Sequence, residues 1–486
     1  MFCPVGDEVK RRSVIILEYC YRIELIYLNI IIAGAGKVGA TLAEHLSGEG
    51  HSITILDISE PTLNRLSNHL DVMCIRGSCS SRDVLTDAGA KDANILIAAT
   101  NSDEINLLCC HCAHRLGVPH TVARVRGTDY VNDLDNLKKD LGITMVVNPE
   151  LATAEEISRL LRFPTAANVD SFARGRVEMC SFTIQETDFL SGRSLASLSS
   201  KIQGLPILFC AVERGDDVFI PNGASILAQG DKIYMAGTPN GIHQFFKLLG
   251  RQAYRIRSVL ILGGGRITHY LLPQLERLGM RCKVVERDED RCRTLAEKFP
   301  SSLIIHGDGT DPELLTEERL TASDAFVALT DRDEDNLIIS LYAHQSGVPK
   351  VVAKSSRQNY TSIARSAGVE SVVSPRFTTA YQIMRLIRGL QNSKGTAMTA
   401  LYRTAGGQAE AMEFHVTANT RGLGVPLKSL RLRQGVLLAV IVRRSKVIIP
   451  EGSTCLESGD DVIVVARNSG ILDLNDIYAE GIGAGG

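Results

Sequence analysis

The chain has 486 residues, 44% of them apolar and 22% charged, values ordinary for a globular protein with room for several hydrophobic cores. The net charge of −2 supplies no global field for nucleic acid or anionic lipid, so a nucleic-acid partner is not expected. Twelve cysteines are scattered rather than spaced as a disulfide framework, and they are expected to be reduced thiols in the cytoplasm.

In chain order, residues 1–27 come first, with Lys10, Arg11 and Arg12 ahead of an apolar stretch. Glu18, Arg22 and Glu24 interrupt that stretch, and no small-residue cleavage site follows. It therefore reads neither as a signal peptide nor as a membrane span, which needs about 20 predominantly apolar residues. From Leu28 onward, short Val/Ile-rich runs alternate with helical patterns, the signature of βαβ units and a parallel sheet. Strands are predicted near Leu28–Ala33, Ser52–Asp57, Val72–Arg76, Ile95–Ala99, Thr121–Val125 and Met145–Val147. Asn148-Pro149 then places a capping residue before a proline at the first helical position, predicting a helix near Glu150–Arg162. A smaller module follows, built of short strands with Gly and Asp turns.

All of this recurs once. Gly34-Ala35-Gly36, after the apolar run from Ile30, returns 229 residues later as Gly263-Gly264-Gly265 after Val259. Ile55-Leu56-Asp57 returns as Val284-Val285-Glu286, Thr100 to Asn106 as Thr330 to Asn336, and Asn148-Pro149 as Ser374-Pro375. Phe219 to Gly223 and Gly230-Asp231 of the small module return as Ile448 to Gly452 and Gly459-Asp460. A period this long is a two-domain unit copied once, not a solenoid. A second helix is predicted near Arg376–Arg388, and the Gly/Ser/Thr/Ala-rich stretch from Asn392 to Gly407 reads as a linker or loop. The fold class is thus α/β: two tandem Rossmann-like, doubly wound parallel sheets, each followed by a small α+β domain.

Gly34-Ala35-Gly36-Lys37-Val38-Gly39 is a G-x-G-x-x-G motif directly between a strand and a helix. Gly34 allows the tight turn, Gly36 lets the backbone approach a pyrophosphate, and Gly39 lets helix and strand pack closely. The N–H groups at the helix start then face the phosphates. Asp57 ends the second strand, where a carboxylate accepts ribose hydroxyls and repels a 2′-phosphate; this favours NAD and NADH. In the second copy, Gly263, Gly265, Arg266 and Ile267 repeat the loop, but Thr268 replaces the third glycine and is expected to crowd the helix against the sheet. Glu286 holds the acidic position with Arg287 after it, and the ligand of this site stays open, ADP or ATP included.

Gly77 and Ser78, matched by Asp308, follow the third strands where they can flank an adenine. Thr100 and Thr330 end the fourth strands at the carboxyl edge, where open sheets bind ligands. Asn101, Glu104 and Arg124 complete the expected nucleotide-binding set. Cys109, Cys110, His111 and Cys112 fall within one predicted helix and lack counterparts in the second copy, so a buried helix face is the better reading than a metal site. No nucleophile elbow, P-loop or H-E-x-x-H occurs, and the module after each Rossmann part is too small for a typical dehydrogenase substrate domain. No catalytic residue is therefore assigned.

The order GAGKVG, Asp57, ATNSDEIN, VARVR at Val122 to Arg126 and NPE at Asn148 to Glu150 resembles the TrkA family, cytosolic regulatory subunits of Trk potassium uptake systems. GDGTDPELL at Gly307 to Leu315 and LTDRDEDN at Leu329 to Asn336 resemble the same family's second unit. The resemblance, over about Leu28 to Ala466, implies RCK-N domains at 28–148 and 257–374 and linking helices at 149–168 and 375–396. RCK-C (TrkA-C) domains are implied at 169–250 and 397–478. It also implies a non-enzymatic, nucleotide-gated homo-oligomeric ring, a dimer or tetramer of this chain. Such a ring sits on the inner face of the cell membrane against a potassium-translocating subunit of the TrkH/TrkG type. Residues 1–27 have no counterpart in the family, and translation is expected to begin at Leu28. An NAD-dependent dehydrogenase, or a regulator of another cation transporter, is the alternative.

Overall fold

The computed structural model describes residues 27–127, 134–215, 217–250, 255–391, 398–404, 408–467, 471 and 473–479, so nearly all of the N-terminal segment discussed above lies outside the described residues. The chain divides into two compact units, Met1–Val147 and Asn148–Gly486.

The first unit is a six-stranded sheet of β1 (Asn29–Ala33), β2 (Ser52–Asp57), β3 (Met73–Arg76), β4 (Ile95–Ala98), β5 (His120–Arg124) and β6 (Met145–Val147). Its order is β3-β2-β1-β4-β5-β6, and every pairing is parallel. The chain reverses its direction of travel across the sheet between β1 and β4, which opens a crevice at their carboxyl ends. Ile30 to Ala33 and Ile95 to Ala98 are essentially inaccessible to solvent, because helices cover both faces of the central strands.

In the second unit, β7 (Asn168–Phe172), β8 (Val177–Thr183), β9 (Ile207–Arg214), β10 (Asp217–Phe219) and β11 (Lys232–Gly237) form a five-stranded antiparallel sheet. Strands β12 (Ser258–Leu262), β13 (Arg281–Glu286), β14 (Leu303–His306), β15 (Ala325–Ala328), β16 (Lys350–Lys354) and β17 (Ser371–Val373) rebuild the Rossmann sheet in the same order. Another five-stranded sheet is made by β18 (Met398–Thr404), β19 (Ala409–His415), β20 (Val436–Arg443), β21 (Lys446–Ile448) and β22 (Asp461–Arg467). Strand β18 corrects the sequence reading of Asn392 to Gly407 as a linker or loop: residues 398–404 pair along β19 from Met398↔Phe414 to Thr404↔Ala409.

The repeated Gly-Asp of the small domains is a structural clamp. Asp231 receives Nε and Nη2 of Arg214 at 2.7 and 2.6 Å and the Ala228 N–H at 2.8 Å. Asp460 does the same with Arg443 and the Glu457 N–H. The two small sheets share one apolar layer, in which Val177, Met179 and Ala236 meet Ala439, Val440 and Ile463.

Two helices link the modules. Asn148 accepts the Leu151 N–H at 2.9 Å and starts the helix Pro149–Arg162 as the cap rule requires. Ser374 departs from that rule: its hydroxyl is buried without a partner among the described residues, and only its carbonyl joins the helix Pro375–Gln391. Ile157, Leu160 and Leu161 of the first helix belong to a core with Leu271, Leu272 and Leu275 of the helix Arg266–Arg277. Asn148 Nδ2 donates to the Tyr270 hydroxyl at 3.0 Å, and Thr378 donates to Glu156 at 3.0 Å, tying the two linking helices together. Among the described residues no helix is long and apolar enough to cross a membrane.

A buried cation holds the chain after the first linking helix. Lys350 Nζ donates to the Ala166 carbonyl at 2.6 Å and to Ser371 Oγ at 2.9 Å, and burial pushes its pKa down to about 8. Because the folded value lies below the unfolded one, the unfolded chain binds more protons between about pH 8 and 10.5. Lys350 therefore adds stability as pH rises through that window. In chemical denaturation followed by circular dichroism, the difference between wild type and Lys350→Met should shift in favour of wild type by up to about 3 kcal/mol from pH 8 to 10.5. A difference independent of pH would contradict this.

Candidate functional site

The glycine loop of the first unit is shaped by close packing. Gly34 has φ of +105°, and a Cβ there would lie 2.8 Å from the Ala99 carbonyl. A Cβ on Gly39 would lie 1.9 Å from the Gly34 oxygen, so only glycine lets the helix Lys37–Gly48 start this close to the strand. Gly36 is different: a Cβ there would meet nothing within 4 Å, and the residue faces open space at the helix start. The fold itself does not demand glycine at that point, whereas a group lying against the backbone would. Ala35, Val38 and Gly39 are buried, and Lys37 is exposed beside Gly36.

Asp57 sits opposite this loop. Its Oδ2 accepts the Ala35 N–H at 2.6 Å and its Oδ1 the Ser59 N–H at 2.8 Å. Each carboxylate oxygen keeps a further lone pair for a hydroxyl from the crevice. The next residue, Ile58, is 74% exposed, a large apolar side chain at the crevice edge that sequence reasoning passed over. Its signal was available: an apolar residue directly after the acidic strand end.

On the facing wall, Ser78 and Ser80 share a hydroxyl–hydroxyl bond of 2.8 Å beside Gly77. Thr100 N–H and Oγ1 both donate to Asn106 Oδ1, at 2.8 and 2.7 Å. Asn106 Nδ2 in turn donates to the Arg124 carbonyl at 2.8 Å. Arg124 reaches the Thr100 carbonyl at 3.4 Å, and Glu104 accepts the Ser102 hydroxyl at 2.7 Å. Asn101 is exposed, and its carbonyl accepts from Arg126. Gly34, Gly36, Asp57, Gly77, Ser78, Thr100 and Asn101 thus gather at the carboxyl ends of the strands. Arg124 is turned onto the strand ends, and Glu104 onto its own helix start. The fully buried Asn106 and its counterpart Asn336, both missed as site builders, lock the β4–β5 and β15–β16 edges through the same set of bonds.

The second unit repeats the geometry around a cleft of about 120 Å³ lined by Gly263, Gly265, Glu286, Asp308, Thr330 and their neighbours. Glu286 accepts the Gly264 N–H at 2.6 Å and the Asp288 N–H at 2.8 Å, and is only 8% exposed. Thr268 does not crowd the helix as the sequence suggested. Its hydroxyl donates to the Gly263 carbonyl at 2.5 Å, and Gly265 keeps the extended φ and ψ of Gly36. Arg266 is exposed and Ile267 buried at the helix start. The backbone N–H and hydroxyl of Thr310 hold the Asp308 carboxyl below its usual range. Among the described residues no group of three His, Cys, Asp or Glu side chains is arranged to hold a metal.

Two classical-order Rossmann sheets, each followed by a small antiparallel domain, define a tandem nucleotide-fold protein, and comparison with known sequences gives its family. The TrkA-N domain family matches residues 30–149 and 259–375, and the TrkA-C domain family matches 179–250 and 411–478. The chain is 30% identical over 459 residues to a Trk system potassium uptake protein TrkA homolog of Methanosarcina mazei, covering 93% of this chain and all of that one. It is 31% identical over 443 residues to the Trk system potassium uptake protein TrkA of Haemophilus influenzae, covering 90% and 95%. The chain therefore belongs to the TrkA family. In fold it is similar to the GsuK channel, with a TM-score of 0.62 at 18% identity over 91% of this chain and 77% of that one. It is also similar to a GsuK channel bound to NAD, with a TM-score of 0.60 at 18% identity and the same coverage of both chains.

The packing around the two loops predicts opposite responses. Gly39→Ala should destabilise the first unit by about 1–3 kcal/mol or more, because the added methyl collides with a main-chain oxygen. Thr268→Ala should lose only about 1 kcal/mol, one hydrogen bond. Denaturant unfolding followed by circular dichroism separates the two, and equal effects would refute this packing account.

Proposed function

We propose that this chain is the regulatory subunit of a Trk-type potassium uptake system and that its Rossmann units sense nucleotides. The first unit, 28–148, takes NAD or NADH, and the second, 257–374, takes an adenine nucleotide, ADP and ATP included. The chain acts as a non-enzymatic ring, a dimer or tetramer of the double repeat, at the inner face of the cell membrane. Its partner there is a potassium-translocating subunit of the TrkH/TrkG type. The RCK-C domains at 169–250 and 397–478 and the linking helices at 149–168 and 375–396 complete the subunit.

The observation that carries this reading is the cradle at Gly36. Open space lies over a helix start, and across from it is a carboxylate already oriented by the loop it faces. A pyrophosphate fits the first feature and an adenosine ribose the second. The N–H groups of the loop and helix start would hold the phosphates, Asp57 the ribose hydroxyls, and Ile58 and Ser78 would flank the base.

Regulation needs a ligand that binds one conformation better than another. In the second unit the means is at hand. The helix Arg266–Arg277 begins at the glycine loop and packs on the linking helix Pro149–Arg162, which Thr378 and Glu156 join to the second linking helix. A shift at the loop is thereby transmitted to the elements that carry both small domains.

NADH titration read by the cofactor's own fluorescence tests the proposal directly, since the chain has no Trp. Saturable binding that Asp57→Ala weakens by at least about tenfold is expected, with no turnover of the cofactor. Deletion of the gene should impair growth at low potassium. Absence of binding by every adenine nucleotide tried would reject the sensor reading, and turnover of NADH would revive a dehydrogenase.

A further inference from the structure

The two clefts share a backbone but not a charge pattern. Where the first unit has Ile58 and Thr62, the second has Arg287 and Arg291, both exposed and both lining the cleft together with Glu286. Arg287 directly follows the acidic residue Glu286, and Arg291 lies in the first turn of the helix Glu289–Lys298. Most of the cleft's carboxylates are already answered by other groups. Asp335 faces Arg332 at 3.5 Å, Asp331 faces Lys354 at 3.9 Å, and Asp308 accepts both the N–H and the hydroxyl of Thr310. Among the described residues neither Arg287 nor Arg291 has a carboxylate within 4.0 Å.

The acid that excludes a 2′-phosphate is also placed differently. Asp57 is half-buried at the crevice with neutral neighbours at 58 and 62. Glu286 makes the same two bonds, to the Gly264 and Asp288 N–H groups, but is nearly buried, and the exposed Arg287 and Arg291 line the cleft beside it. A guanidinium offers a planar fork of donors that matches a phosphate, and arginine near this strand end is what accommodates a 2′-phosphate in dinucleotide folds.

Resting on the nucleotide-sensor reading above, we propose that the second cleft accepts a dinucleotide phosphorylated on its adenosine ribose, of the NADP(H) class, which the first cleft refuses. Arg287 and Arg291 are the specificity-determining residues. The chain then reads the phosphorylated and unphosphorylated cofactor pools at separate sites.

Fluorescence titrations of the full chain with NADPH and with NADH test this, using wild type, Asp57→Asn and the double variant Arg287→Gln/Arg291→Gln. NADPH should bind wild type, should not be weakened by Asp57→Asn, and should bind at least about tenfold more weakly to the arginine variant. NADH binding at the first site should survive the arginine substitutions. Both substituted arginines are exposed, and circular dichroism melts confirm folding of each variant. NADH binding without NADPH binding, or NADPH binding that follows Asp57 and ignores the arginines, would overturn this proposal alone. Failure of wild type to bind either cofactor would overturn the sensor reading with it.

Discussion

The short hydrogen bond from a glycine-loop N–H to the carboxylate ending the second strand organises each Rossmann unit. Ala35 to Asp57 and Gly264 to Glu286 are both 2.6 Å, and in each case the second oxygen takes an N–H two residues further on. One bond fixes the loop that can hold phosphates relative to the acid that can hold a ribose. A charged acceptor makes such a bond stronger than an ordinary amide pair. The loop and the acid are thereby held in one fixed arrangement.

The same economy appears at the far edge of each sheet. Asn106 and Asn336 satisfy the ends of two strands and the start of one helix with a single buried amide. Buried polar groups so fully bonded are rigid. The linking helices share a core with the helix Arg266–Arg277, and an apolar layer joins the two small sheets.

Much of this was legible in the sequence because it is local. Glycines at 34, 36 and 39, the acid at 57, and the Asn148-Pro149 start each act within a few residues of themselves, and the duplication supplied a second witness for every landmark. What was not legible depends on distant partners. Residues 398–404 look like linker by composition, yet pairing with β19 makes them a strand, since strand formation follows context more than propensity. Arg214 and Arg443 gain their meaning only from Asp231 and Asp460 across a hairpin. Thr268 looked too large for its position, but its hydroxyl bonds the Gly263 carbonyl, the counterpart of the Gly34 carbonyl that a methyl at Gly39 would strike. Ser374 keeps the place of Asn148 without its cap, because a side-chain oxygen caps only where it can reach the first-turn N–H groups.

The most direct test of the account is amide hydrogen exchange of the full chain with and without saturating NADH. Protection is predicted around 34–39 and 57–59, and nucleotide at the second site should protect 263–268 together with altered exchange in the linking helix Pro149–Arg162. Unchanged exchange at both loops would contradict nucleotide sensing, and protection of 263–268 without a change in that helix would contradict its coupling to the linking helices.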